Sequence, residues 1–291
     1  MAITTSPTTS DAPLTDALLS VLFAQWRELG VPFTSPLGGS ALEVIDPEEL
    51  IWCSLEFTPT VPRLAEAVEA WVSLHGGDIN RQRVNKLARS DPADPRAKRW
   101  QALDPRGTRA PLKGRSRAAG RGRLGKPLGD RSPSASTLYL RARDVLGNDS
   151  RAFLIVQLLS HEGGARLRAV ADSTGYTYRS LSDAAVGLER SRAIRIDRGY
   201  CVLLNRAPWA ELLACPAKGA TTVDWHAAFA AALTLLRTLK KAKERGLPRD
   251  HALVRSASES TRDSLLKAAG WSSLERCPAI AFLSHAIRTG E

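Results

Sequence analysis

The chain has 291 residues, 43% of them hydrophobic and 24% charged, which is ordinary for a soluble globular protein and leaves room for two or three small domains. Its 41 Lys and Arg against 30 Asp and Glu give a net charge of +11, an excess that favours an anionic partner such as nucleic acid or a membrane surface. Four scattered cysteines (Cys53, Cys201, Cys215, Cys277) lack C-x-x-C spacing, no run of 18 apolar residues occurs, and the Thr/Ser/Pro-rich start has neither a basic nor an apolar signal region. These features argue against a thiolate metal site, a disulfide framework, a membrane span and a signal peptide, and predict a soluble, cytoplasmic protein with reduced cysteines.

Residues 1–13 read as a disordered tail. From Leu14, apolar residues recur at helical spacing (Leu14, Leu18, Val21/Leu22, Trp26, Leu29) up to Gly30. Asp46-Pro47-Glu48-Glu49 reads as an N-cap, a first-position proline and first-turn acids, opening a helix that runs to about Phe57. Two more amphipathic helices come next, Val61 to Leu74 and Asn80 to Arg89, the second with Arg81, Arg83, Lys86 and Arg89 on its expected exposed side. Residues 14–90 are therefore expected to form one all-α unit that packs against a segment further along the chain or against a second copy of the chain.

Residues 91–136 are rich in Pro, Gly, Ser and Arg and lack periodicity, which predicts a basic disordered linker. Between Arg96 and Arg131 lie twelve Lys or Arg and two acids, whereas the rest of the chain holds 29 basic and 28 acidic residues. One tract thus carries nearly the whole excess. Gly120 to Gly125 formally fits G-x-G-x-x-G, but without a strand before it or an apolar helix after it a dinucleotide site is not expected. Arg121-Gly122-Arg123 resembles the Arg-Gly-Arg core of an AT-hook, with Leu124 where that motif has Pro. The expected role is a phosphate-binding arm in which Arg121 and Arg123 reach the backbone or minor groove.

After a short helix or extended lead-in from Thr137 to about Val145, three helices and a hairpin are predicted between Asn148 and Asn205. Asn148 or Asp149 caps the first, whose apolar residues (Phe153, Ile155/Val156, Leu158/Leu159) cover most of its circumference. Gly163-Gly164 breaks the chain, and the second helix turns Leu167 and Val170/Ala171 inward. Thr174-Gly175-Tyr176 makes a tight turn, and Thr177 caps the third helix, Tyr178 to Arg190. That helix places Leu181, Ala184 or Ala185, and Leu188 on one face, with Tyr178, Arg179, Ser180, Ser182 and Asp183 opposite them at its start. Residues 193–196 and 200–204 read as strands around Asp197-Arg198-Gly199, with Arg195 on a strand and Arg198 at the tip.

This segment resembles the winged helix-turn-helix regulators of the broad MarR/ArsR class in its Ser173-to-Thr177 turn, its Leu181…Leu188 spacing and its Arg-tipped hairpin. The resemblance implies sequence-specific binding of double-stranded DNA, the third helix in the major groove, commonly as a homodimer. Thr177, Tyr178, Arg179, Ser180, Ser182, Asp183, Arg195 and Arg198 are the candidate contacts. Residues 137–206 hold eleven arginines and seven acids, which favours DNA over the alternative of a protein-interaction module, such as an antitoxin or the partner of a neighbouring gene product. Residues 207–291 read as a helical C-terminal unit: a short helix from Trp209 to Leu213, a long one from Val223 to Glu244, another from Ser256 to Ala269, and a last strand or helix from Pro278 to Ile287. The five histidines are dispersed, and no catalytic, metal or cofactor motif is present, so neither an enzyme nor a cofactor is expected. The expected architecture is mainly α with a small β-hairpin wing, a winged helix-turn-helix flanked by N-terminal and C-terminal helical units.

Overall fold

A computed structural model describes residues 10–37, 43–103, 134–161, 163–216, 219–248, 251–269 and 277–289. It is mainly helical, with one small three-stranded antiparallel sheet. The N-terminal helices are α1 (Ala12–Glu28), α2 (Pro47–Phe57), α3 (Pro62–His75), α4 (Arg81–Ser90) and α5 (Pro95–Leu103). The first four match the apolar periodicity, although α1 starts inside the stretch read as a tail. Asp46 does cap α2, accepting from the N–H groups of Glu48 and Glu49.

Helix α5 corrects the expected linker, which does not begin at residue 91. Trp100 is buried and its Nε1 donates to Asn85 Oδ1 at 2.7 Å. Arg96 is buried too, held by Asp94 at 2.7 Å and lying 4.6 Å over the Trp52 ring. One aromatic anchor and an arginine neutralised on the spot are enough to order a segment whose composition reads as linker. The remaining basic tract, including Arg121 and Arg123, lies outside the described residues.

The middle of the chain runs α6 (Leu138–Leu146), α7 (Ser150–Ser160), β1 (Ala165–Arg166), α8 (Leu167–Thr174), α9 (Tyr178–Arg190), β2 (Ile194–Asp197), β3 (Tyr200–Leu203) and α10 (Arg206–Leu212). The strand order is β1-β3-β2, so the expected hairpin has a third strand, too short to carry a periodic signal. Gly164 sets β1 against β3: its φ is +91°, and a Cβ there would lie 2.3 Å from the Cys201 carbonyl oxygen. No residue with a side chain fits that approach. Gly175 adopts the left-handed conformation at the end of α8, as the turn requires.

The last helices are α11 (Trp225–Glu244), α12 (Ala252–Ala268) and α13 (Pro278–Thr289). The final segment is thus a helix rather than a strand. Helices α11 to α13 share a core with α1 to α5, in which Leu18, Val21, Trp26, Leu50, Ile51, Trp71, Trp100, Leu236 and Leu283 are almost fully enclosed. The expectation of separate N- and C-terminal units is therefore corrected: both ends of the chain build one helical body. The second core belongs to α6 through β3, and Val44 and Ala220 contribute to it from outside. The Glu43–Asp46 segment threads between the two cores: Val44 N–H donates to the Thr221 carbonyl, and Trp225 Nε1 donates to the Val44 carbonyl at 2.8 Å. Among the described residues no helix is long and apolar enough to cross a membrane.

Candidate nucleic-acid interface

The fourth helix of the central unit, α9, is held by its apolar face. Leu181, Ala184, Ala185 and Leu188 are buried, and Thr177 caps the start by accepting from Ser180 N–H at 3.1 Å. The opposite face is left to solvent. Tyr178, Arg179 and Asp183 are exposed, Ser182 is half-buried, and Ser180 bonds Ser150 through its hydroxyl at 3.0 Å. Ser180 is thus partly committed to holding α9 against α7.

The hairpin projects beside this helix end. Asp197 pairs with Tyr200 across a two-residue turn in which Arg198 and Gly199 both have positive φ, 47° and 77°. Two such residues in succession make the turn that matches the twist of the flanking strands. Strand pairing fixes the two faces: Ile196 and Cys201 look to the core, while Arg195, Asp197, Tyr200 and Val202 share the outer face. A Cβ placed on Gly199 would lie 3.9 Å from the Tyr178 hydroxyl, so the hairpin tip and the start of α9 are adjacent.

The arginines of the central unit divide into two groups. Arg143 is buried and bidentate to Glu48, Arg141 donates to the Leu213 and Ser134 carbonyls, and Arg206 donates to the Leu158 and Leu159 carbonyls. Arg151 and Arg168 pair with Asp149 and Asp172. Arg166, Arg179, Arg190, Arg192, Arg195 and Arg198 are all exposed and none forms an ion pair among the described residues. Every one lies on β1, α9 or the hairpin and its approach. The sequence singles out three of the six; Arg166, Arg190 and Arg192 are missed because net charge does not reveal which arginines are already engaged.

Behind the turn before α9 sits a buried charged cluster that has no direct signal in the sequence. Arg83 of α4, expected on an exposed face, is only 5% exposed. Its guanidinium donates to both Asp46 oxygens at 3.0 and 2.8 Å, to Glu48 Oε2 at 2.7 Å and to the Thr174 carbonyl at 2.8 Å. Arg143 closes on Glu48 from the other side, with Nη1 to Oε1 at 2.8 Å and Nη2 to Oε2 at 2.7 Å. Each guanidinium also lies over a tyrosine ring, Arg83 over Tyr176 at 4.9 Å and Arg143 over Tyr139 at 4.0 Å, and the two tyrosine hydroxyls meet at 2.9 Å. Burial alone would raise the Asp46 pKa, but the adjacent Arg83 charge overrides it and holds the carboxyl below its ordinary value. Helix α4 reaches the same turn again through Lys86 Nζ, which donates to the Gly175 carbonyl at 2.7 Å. The turn that leads into α9 is therefore tied to the helical body through α4.

Among the described residues no group of three or more His, Cys, Asp or Glu is placed to hold a metal ion. Comparison with protein-family models, with curated proteins and with solved structures gives no match for this chain.

Proposed function

We propose that residues 137–206 are a winged helix-turn-helix and that the chain is a sequence-specific regulator binding duplex DNA. In this reading the start of α9 enters the major groove, and Arg195 and Arg198 of the hairpin take the flanking backbone or minor groove. The observation that carries the reading is the sorting of the arginines. Those pointing inward donate to carboxylates or carbonyls, and six that form no ion pair among the described residues collect on the strip a groove would meet. Tyr178, Arg179, Ser182 and Asp183 supply hydrogen-bonding groups for base edges, and the arginines supply the phosphate contacts.

The basic tract divides the labour further. Residues 106–131 hold nine Lys or Arg and one acid by sequence, enough to add affinity without adding sequence preference. If that arm neutralises about six phosphates, it contributes a slope of roughly −5 to log K against log salt. Fluorescence anisotropy on duplexes chosen by randomised-oligonucleotide selection tests the whole reading. Deleting 106–131 should flatten the slope and keep the selected sequence, whereas Arg179→Ala should relax the sequence preference and leave the slope nearly unchanged. Absence of duplex binding by the intact chain at low salt would overturn the reading and favour a protein partner instead.

A further inference from the structure

A cleft of ≈ 70 Å³ lies between α1, the Leu37 and Glu43–Ile45 segments and the start of α13, away from the arginine strip. That room is several times the roughly 10–15 Å³ one water needs. Its walls are mostly apolar, with Val21, Leu37, Ile45 and Pro278 among them. Gln25 of α1 also lines it. The residue is 5% exposed, and among the described residues neither its Oε1 nor its Nε2 has a hydrogen-bond partner. Glu43, 3% exposed, lines it as well and is already occupied, its Oε1 accepting from the Ala279 N–H at the start of α13.

A carboxamide enclosed with both polar atoms unmet is unfavourable unless a solute supplies the two bonds. We infer that this cleft is a binding site for a small neutral molecule carrying a primary carboxamide or urea group, held by a reciprocal pair of hydrogen bonds with the Gln25 amide. The complement of a donor beside an acceptor is an acceptor beside a donor, and a carboxamide offers both in one plane. The apolar walls receive the substituent. Arg27 and Glu28 stand next to each other on the same helix with opposite charges, so no net field selects an ion. Burial raises the Glu43 pKa to about 7, so that carboxyl adds only a partial charge near neutrality. The inference stands apart from the DNA reading, because none of these residues belongs to the arginine strip.

The test is a titration of the ¹⁵N-labelled full-length chain with propionamide, following the Gln25 side-chain NH₂ resonances. These are assigned by their loss in Gln25→Met, which keeps the length and removes both polar atoms. A saturable shift with a dissociation constant of about 0.1–10 mM is expected, and a response at least about tenfold weaker to propionate and to propylamine, which keep the skeleton and change the head group. In Gln25→Met the ligand-induced shifts of neighbouring α1 amides should vanish while the thermal midpoint stays at or above that of the wild type. Equal responses to all three probes, shifts that survive in Gln25→Met, or no saturable shift at all (ordered water only) would each overturn the site.

Discussion

At the scale of single residues, Arg83 and Glu48 have the largest consequences. Both are enclosed, Arg83 between Asp46 and Glu48 and Glu48 between Arg83 and Arg143. Removing Arg83 leaves Glu48 paired with Arg143 but takes the guanidinium from Asp46, and breaking a buried pair typically costs about 3–5 kcal/mol. Arg83→Met, which keeps the apolar stem, should lower the unfolding free energy from urea titration by that order; a loss below about 1 kcal/mol would mean that the cluster is hydrated. Glu43 works in the opposite sense. Burial raises its pKa from 4.5 to about 7, so the folded state holds the proton more tightly than the unfolded state does. Its contribution is therefore greatest below pH 4.5 and falls as pH rises towards 7, by up to about 3 kcal/mol at roughly 1.4 kcal/mol per pKa unit. Denaturation curves of Glu43→Gln should show a shallower decline across that window and a more stable protein at alkaline pH. Asp46 has the reverse sign: its depressed pKa makes stability fall on acidification below the ordinary carboxylate range.

At the scale of elements, the hairpin and α4 explain why α9 presents the surface it does. Cations at the end of a helix complement its unpaired carbonyls, and α4 supplies two: Arg83 at Thr174 and Lys86 at Gly175, the last carbonyls before the turn. The turn then delivers Thr177 as the cap of α9. Arg198 occupies a left-handed position at the hairpin tip, where a non-glycine residue is strained and Asn is better tolerated. Arg198→Asn should therefore stabilise the fold by a few tenths to about 1 kcal/mol while weakening duplex binding. Parallel melting and anisotropy measurements check both halves. Equal or tighter DNA binding by this variant would remove the hairpin tip from the proposed interface.

At the scale of the whole molecule, the two cores are joined by the charged cluster, by the Glu43–Asp46 segment and by the Trp225 bond to Val44. Few of these contacts survive if one core opens alone, and the exposed guanidinium and carboxylate partners would then lie at an apolar surface. Unfolding should be a single transition. Tryptophan emission, which reports mainly on the helical body through Trp26, Trp71, Trp100 and Trp225, should coincide with near-ultraviolet ellipticity from Tyr139 and Tyr176 in the central unit. Two separated transitions would show that the junction is weaker than its hydrogen bonds suggest.

Periodicity and local chemistry were sufficient for much of this. The 3.6-residue spacing of Leu14 to Leu29 and of Leu181 to Leu188, the caps Asp46, Asp149 and Thr177, and the turn glycine Gly175 are local devices, readable because they act within one or two turns of chain. The exposed half of the candidate site, Tyr178, Arg179, Arg195 and Arg198, was legible for the same reason: an amphipathic helix or strand declares its outer face. The partner that one segment meets in another was not. Whether α13 belongs with α1, whether Trp100 draws a proline- and arginine-rich stretch into a core, and whether Arg83 or Arg143 faces water or a glutamate depend on partners dozens of residues away. Burial of charge in particular is decided only by tertiary structure, because a sequence shows how many arginines a chain carries but not which of them its own carboxylates and carbonyls have already taken.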